Sequence, residues 1–174
     1  MPGLSIIIIN YKSWLVLEKC IKSIWSQKTK SIEIIIIDNN SNDNKIINFK
    51  DKYDRCKWII NKKNIGFAKA CNQGAKVAKY DHYIFLNPDT VLEKNCLVKL
   101  KSKIDNYPDS ILSISQIDSR GNKKFPYGNF LSIKTFNGTS RFIFRFLNCE
   151  NRLKDNKKPW IETDWVSGSF LCIS

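Results

Sequence analysis

Three clusters of small polar residues each sit at the end of an apolar stretch of strand length. They are Asn10-Tyr11 after residues 4–9, Asp38 to Asp43 after residues 32–37, and Asn87-Pro88-Asp89-Thr90 after residues 82–86. A carboxylate just past a buried strand has two natural uses. It can hold a hard cation such as Mn2+ or Mg2+, which takes one or two carboxylates together with substrate phosphate oxygens. It can equally serve the chain itself, because Asn, Pro, Asp and Thr each favour turns and helix starts. Asp89 fits both descriptions: Pro88 fixes the backbone before it, and Asn87 and Thr90 add oxygens. Asp38 is open in the same way. It could accept the ring N–H of a uracil or thymine base in a charge-assisted hydrogen bond, or cap the helix that follows. Asn40, Ser41 and Asp43 read as residues that hold the loop through local side-chain bonds.

Other phosphate devices are missing. A dinucleotide fold needs G-x-G-x-x-G after its first strand, where this chain has Asn10-Tyr11-Lys12-Ser13, and there is no P-loop. A divalent cation is therefore the natural way to handle a phosphorylated ligand. The six cysteines are scattered singly and the one histidine, His82, has no Cys or carboxylate at a metal-ligand spacing. Reduced cysteines acting as small hydrophobes are expected.

The elements that must position these clusters alternate in type. Residues 4–10 form a continuous apolar run, as in a strand buried on both faces of a parallel sheet. Residues 14–25 carry Leu17, Cys20, Ile21 and Ile24 on one helical face, with Ser13 as a plausible N-cap. Strands follow at 32–37, 57–60 and 82–86, and helices at 43–52, 67–79 and 92–106. A further strand is expected at 111–117, with a turn at 119–122. In the third helix, Ala68, Cys71, Ala75 and Ala78 form a small-residue face that lets helix and sheet approach closely. This order predicts an α/β fold with a doubly wound, mostly parallel sheet flanked by helices. Such sheets bind ligands outside the carboxyl ends of their strands, where all three polar clusters fall. Residues 1–174 read as one domain, with 1–122 as the βαβ core and 123–174 as an irregular excursion.

Length and composition agree with a globular domain: 174 residues, 43% hydrophobic and 26% charged. No apolar run approaches the ~20 residues that span a bilayer, and no secretory signal is evident. A cytoplasmic protein is expected. The formal net charge of +13 suits a nucleic-acid binder, an anionic membrane face, phosphorylated ligands or a merely lysine-rich surface. No compact Arg stripe or aromatic-basic motif favours nucleic acid. The basic residues near 125–158 could rest on the inner face of a membrane.

Taken in order, Ser5 to Tyr11, Ile37 to Asp43, Asn64-Ile65-Gly66-Phe67-Ala68 with Asn72 and Gly74, Phe85 to Thr90 and Trp165 to Gly168 resemble family 2 glycosyltransferases of the GT-A fold. The likeness is to the donor-binding portion of the rhamnosyltransferase-like branch that builds bacterial surface polysaccharides. The resemblance implies that Asn87-Pro88-Asp89 occupies the DXD-like position, with Asp89 as metal ligand and Asn87 facing ribose or phosphate. It further implies that Asn10, Tyr11 and Asp38 line the nucleoside pocket, and that Asn64, Gly66 and Asn72 shape the wall near the diphosphate. Ser167 and Gly168 would lie near the transferred sugar, with Trp165 either stacking on it or packing in a core. Gly66 has its own physical reason, since a helix start that needs positive φ or close backbone approach favours Gly.

The expected reaction is inverting transfer from a UDP-, dTDP- or GDP-linked sugar to a glycan or lipid-linked acceptor. Three departures from the family pattern qualify it: Asn87 replaces an acidic residue, Lys12 replaces a smaller polar one, and the chain stops within the apolar run 170–174. The general base that such a transfer needs is expected beyond Ser174, and Glu162 and Asp164 are poor substitutes. A truncated or split reading frame is the expectation, the alternative being a short relative that borrows its acceptor half from a partner chain; for function, the alternative is an inert nucleotide-binding or partner-docking fragment. A sugar nucleotidyltransferase would need a Gly-rich loop after the first strand, and residues 10–14 contain no glycine.

Overall fold

In the computed structural model, which describes residues 3–118, 120–124, 126–128, 130 and 161–174, every residue of the first strand β1 (Leu4–Asn10) is buried. That is possible only when both faces of a strand are covered, and the neighbours supply the cover. Helix α1 (Trp14–Trp25) is followed by β2 (Ile32–Asp38), α2 (Lys45–Lys52), β3 (Lys57–Ile60), α3 (Phe67–Lys76), β4 (His82–Leu86) and α4 (Cys96–Ile104). Short strands β5 (Gln116–Ile117), β6 (Lys123–Lys124), β7 (Tyr127–Gly128) and β8 (Trp165–Val166) come next, and β9 (Phe170–Ile173) ends the chain.

The main sheet has the order β3-β2-β1-β4-β9, parallel except for the antiparallel edge strand β9. Alternation of side chains along a strand divides its residues between two cores. Ile6, Ile8, Ile34, Ile36, Ile84 and Leu86 pack with the buried residues of α1 and α4. Ile7, Ile9, Ile35 and Ile37 meet Ala70 and Cys71 of α3 on the opposite face. This is the expected α/β arrangement, helices on both faces of a mostly parallel sheet. The order reverses at β1, with β2 and β3 on one side of it and β4 on the other. That reversal is the switch point at which such sheets open a crevice.

Two compact units divide the chain, residues 1–114 with 168–174 and residues 115–167. In the second unit, β5 and β6 pair through a tight turn in which Asp118 accepts the N–H groups of Arg120 and Asn122, each at 2.9 Å, and Gly121 takes φ 82°. Strands β7 and β8 pair antiparallel. Residues 131–160, with most of the basic excursion and Cys149, lie outside the described residues.

Four expectations shift. Helix α4 starts at Cys96 rather than residue 92, because Asn95 takes a left-handed conformation (φ 62°) that no helix extends back through. Helix α3 ends at Lys76 rather than 79, and the Val77 carbonyl accepts the Lys57 ammonium at 2.8 Å instead of a helical N–H. Its buried small residues are Ala70, Cys71 and Gly74, whereas Ala68 faces solvent. The strand expected at 111–117 is reduced to a Leu112–Cys172 bridge and the two residues of β5, with the Ser113 hydroxyl donating to the Phe170 carbonyl at 2.9 Å. The described cysteines are free and, apart from the partly exposed Cys96, buried, as small hydrophobes should be.

Candidate functional site at the carboxyl edge of the sheet

Asn10 and Asp38 are the last residues of β1 and β2 and pair in register. Both are buried, at 0% and 2% exposure, so each polar atom needs a partner. The Asn10 amide donates to Asp38 Oδ1 (2.8 Å) and to the Ser41 hydroxyl (3.3 Å), while its own oxygen accepts the Ser13 N–H at 3.2 Å. Asp38 also accepts the Ser41 hydroxyl at 2.5 Å and the Ser41 N–H at 3.0 Å. The Ser41 hydroxyl oxygen in turn accepts the Lys12 N–H at 2.8 Å. Asp38 is thus the anchor of its own loop rather than a helix cap, and the loop's expected reliance on Ser41 holds. Ser13 does stand at the N-cap position of α1, but its hydroxyl turns back to the Tyr11 carbonyl and caps nothing. Asn10 Oδ1 accepts the N–H of Ser13 itself, one residue ahead of the helix, and the first turn of α1 has no side-chain cap.

Beside this pair lies a run of side-chain amides that the motif reading passed over. Asn39 Oδ1 accepts the Ile65 N–H at 3.1 Å, and a backbone N–H can only donate, so the orientation of this amide is settled. Asn61 must then donate to Asn39 Oδ1 (3.2 Å), and Gln73 Nε2 to Asn61 Oδ1 (3.0 Å). Asn39 Nδ2 donates in turn to Asn64 Oδ1 at 2.8 Å, which also accepts the Gly66 N–H at 2.9 Å. The relay Gln73 to Asn61 to Asn39 to Asn64 therefore runs in one direction. It binds the ends of β2 and β3, the 61–66 turn and α3 into one assembly. A signal was present in the sequence, an excess of Asn and Gln around two strand ends, but only the fold brings the two ends side by side.

The site residues expected in the 64–72 segment separate. Asn64 and Gly66 belong to the relay, and Gly66 caps α3 at φ 82°, ψ 162°, a region that only glycine visits readily. A Cβ on Gly66 would meet nothing within 4 Å, so conformation rather than space requires glycine here. Asn72 is exposed on α3 and does not join the relay; its neighbour Gln73 does. Tyr11 is exposed, with the Lys12 ammonium 5.5 Å from its ring centre. Gly168 is exposed as well, and neither φ nor crowding demands glycine there.

Past β4, the chain turns through Asn87-Pro88-Asp89-Thr90, closed by a Thr90 N–H to Asn87 carbonyl bond of 3.1 Å. The Asn87 N–H donates to the Ser169 carbonyl at 3.0 Å, and the Thr90 hydroxyl points to the same oxygen at 3.4 Å. So the turn reading of this segment is correct as structure. It leaves Asp89 exposed, with no hydrogen bond or ion pair among the described residues. Among those residues there is also no group of three or more His, Cys, Asp or Glu placed to hold a metal. The donor set still fits a hard cation shared with a phosphorylated ligand, since such ions take one or two protein carboxylates and fill the rest with phosphate and water. Behind the turn, the Cys20 thiol faces the Asn87 carbonyl at 3.8 Å, and burial, aided by the Asp89 charge, pushes it up to about 12. It remains a thiol at neutral pH and is no nucleophile. In the second unit, Trp165 is partly exposed and lies over Gly128, where a Cβ would sit 2.5 Å from its ring.

No helix among the described residues is long and apolar enough to cross a membrane.

The family model for glycosyl transferase family 2 matches residues 5–171. Among curated proteins, the chain is 32% identical over 126 residues to the GalNAc(5)-diNAcBac-PP-undecaprenol beta-1,3-glucosyltransferase of Campylobacter jejuni, covering 70% of this chain and 41% of that protein. It is 33% identical over 96 residues to the poly-beta-1,6-N-acetyl-D-glucosamine synthase of Staphylococcus epidermidis, covering 53% of this chain and 23% of that one. The chain thus spans less than half the length of these relatives. Among solved structures, S. aureus TarS 1-349 in complex with UDP-GlcNAc aligns with a TM-score of 0.59 at 20% identity, covering 72% of this chain and 38% of that one. The mannosyltransferase PcManGT of Pyrobaculum calidifontis, in complex with GDP-Man and Mn2+, aligns at 0.58 and 15% identity, covering 68% and 36%. These structural likenesses establish the fold.

Proposed function

Since the chain belongs to glycosyltransferase family 2, we propose that residues 1–174 form the donor-binding part of an inverting glycosyltransferase of surface-glycan synthesis. The observation that carries this reading is the convergence of Asn10, Asp38, the Asn39–Asn64 relay and Asp89 on the carboxyl ends of adjacent strands at the sheet's switch point. The donor is a nucleoside diphosphate sugar, UDP-, dTDP- or GDP-linked, and the acceptor a glycan or lipid-linked sugar on the inner face of a membrane.

Asp38 keeps one lone-pair direction on Oδ2 for the base N–H, while its other partners hold the carboxylate still. Tyr11 offers its ring edge to the nucleoside, and the Asn64 amide, its oxygen already engaged, presents N–H donors to the diphosphate. Gly66 lets α3 begin without a side chain over that wall, with Asn72 nearly two turns further on and Gly168 bordering the sugar. Asp89, with Asn87 beside it, would hold Mn2+ or Mg2+. When bound, the cation neutralises charge on the leaving diphosphate. Activation of the acceptor hydroxyl calls for a general base. Asp164 is tied into the second unit, its Oδ2 accepting the Phe130 N–H at 2.9 Å. That engagement favours a second, narrower reading in which these 174 residues bind nucleotide but transfer no sugar.

Calorimetry of the 174-residue chain with UDP, dTDP and GDP, with and without Mn2+, tests the proposal. Metal-enhanced binding of one nucleotide, lost in Asp89→Ala, is expected. Binding indifferent to both Mn2+ and Asp89 would overturn it. Sugar transfer by the 174-residue chain itself would dismiss the narrower reading.

A further inference from the structure

The loop that carries Asp89 runs from the end of β4 to the start of α4, residues 87–95, and loops of this length are flexible unless fastened. This one is fastened from below by α1. Cys20, Ser23 and Gln27 recur at helical spacing on the buried side of α1 and just past its end. Ser23 and Gln27 are only 8% and 6% exposed, an unusual place for polar side chains in a helix–sheet core.

Their hydrogen bonds explain the placement. The Ser23 hydroxyl donates to the Cys20 carbonyl at 2.7 Å and accepts the Leu92 N–H at 3.0 Å. The Gln27 amide nitrogen donates to the Ser23 carbonyl at 3.1 Å and the Glu93 carbonyl at 3.0 Å, and its oxygen accepts the Leu97 N–H at 3.3 Å. Two carbonyls on one side and one N–H on the other settle the orientation of the Gln27 amide. Leu92 and Leu97, between and beside these bonds, are buried at 5% and 0% exposure. On the other side of Asp89, the Asn87 N–H is held by the Ser169 carbonyl at 3.0 Å. Asp89 therefore sits in a short span between two clamps, one on β9's approach and one on α1.

We infer that Ser23 and Gln27 are positioning residues for Asp89: by satisfying the backbone at Leu92, Glu93 and Leu97, they hold its carboxylate still enough to share a cation with the donor diphosphate. The inference rests on the donor-site reading above. Gln27 also satisfies a last-turn carbonyl of α1 at Ser23, but the bonds to Leu92, Glu93 and Leu97 serve the loop.

The test compares Mn2+-dependent and Mn2+-independent binding of UDP, dTDP and GDP in Ser23→Ala, Gln27→Leu and Leu100→Ala. The last removes a buried α4 side chain (4% exposed) and controls for lost stability alone. Leaving the buried Leu92 N–H without a partner should weaken Mn2+-dependent binding by about tenfold. Metal-free binding should stay unchanged, Leu100→Ala should leave the ratio of the two as in the parent chain, and Ser23→Thr, which keeps the hydroxyl, should restore it. Amide exchange gives an independent reading: Leu92 should lose protection selectively in Ser23→Ala. Equal effects in Ser23→Ala and Leu100→Ala, or an unchanged metal ratio despite a deprotected Leu92, would overturn the inference while leaving the donor site intact. An unchanged metal ratio in Asp89→Ala would instead remove the donor-site reading, and this inference with it. So would the absence of nucleotide binding by the parent chain.

Discussion

The Asn10 amide and the Asp38 carboxylate meet at 2.8 Å across the last rung of β1 and β2, both buried. A bond between a neutral donor and a buried carboxylate is strong because removing the donor strands a charge in a poor solvent. The same bond ties two strand ends together at the point where the nucleoside is proposed to bind.

Asn10→Ala should therefore destabilise the protein by about 2 kcal/mol, the worth of one hydrogen bond to a buried charged acceptor that keeps its two Ser41 bonds. Urea unfolding should show a lower midpoint at unchanged slope. Asn10→Asp should be worse at neutral pH, where two carboxylates face each other, and recover part of the loss in acid. A midpoint unchanged in both variants would refute this account.

Gly66 and Gly74 should fail for different reasons. Gly66→Ala places a side chain at φ 82°, ψ 162° in open space, a backbone strain of about 1–3 kcal/mol. It should also weaken nucleotide binding, because relieving the strain moves the 64–66 turn. Gly74→Ala sets a Cβ 2.5 Å from Ile7 Cγ2, an overpacking cost of about 1–3 kcal/mol, with nucleotide affinity retained in the folded fraction. Thermal unfolding and nucleotide titration of both variants separate the two mechanisms.

Reversing one step of the amide relay should loosen the 61–66 turn. Asn39→Asp keeps an acceptor for Asn61 and for the Ile65 N–H but sets an oxygen against Asn64 Oδ1, now 2.8 Å from a nitrogen. A stability loss of about 1–2 kcal/mol is expected, with faster amide exchange at Ile65 and Gly66. Full protection of both amides in the variant would show that the relay does not hold the turn.

Acid should release one tie between α1 and α2. Glu18 lies 2.7 Å from the Lys22 ammonium and 2.8 Å from that of Lys52, which hold its carboxyl at about 2, below the ordinary 4.5. A lowered folded-state value means that the stabilisation is present above pH 4.5 and disappears as pH falls from there towards 2. Parent chain and Glu18→Gln should thus differ in melting temperature at neutral pH and converge in that acid window. A difference that persists at the acid end, or one unaffected by high salt, would contradict the ion-pair origin.

Glu33 makes contacts that local pattern does not report: it accepts the Ser5 hydroxyl at 2.5 Å and the Lys79 N–H, joining β1, β2 and the chain after α3. Asn95 is similar: an apolar period beginning at residue 92 promises a helix, and one left-handed residue delays it to Cys96.

The sequence by itself determined the alternation of strands and helices and the carboxyl-end placement of Asn10, Asp38 and Asp89, because burial periodicity and turn chemistry are local. It also marked residue 66 as a helix start that favours glycine, and the structure decided that positive φ rather than close approach is the reason. The tertiary structure alone decided which polar groups meet. Asn39 finds Asn61 and Asn64 because β2 and β3 are neighbours in the sheet, and Ser23 and Gln27 find residues 92–97 because α1 and α4 share one face of it. These are bonds between residues far apart in the chain, and no spacing rule reports them. Their role is to satisfy buried backbone and hold still the two loops on which Asn64 and Asp89 stand.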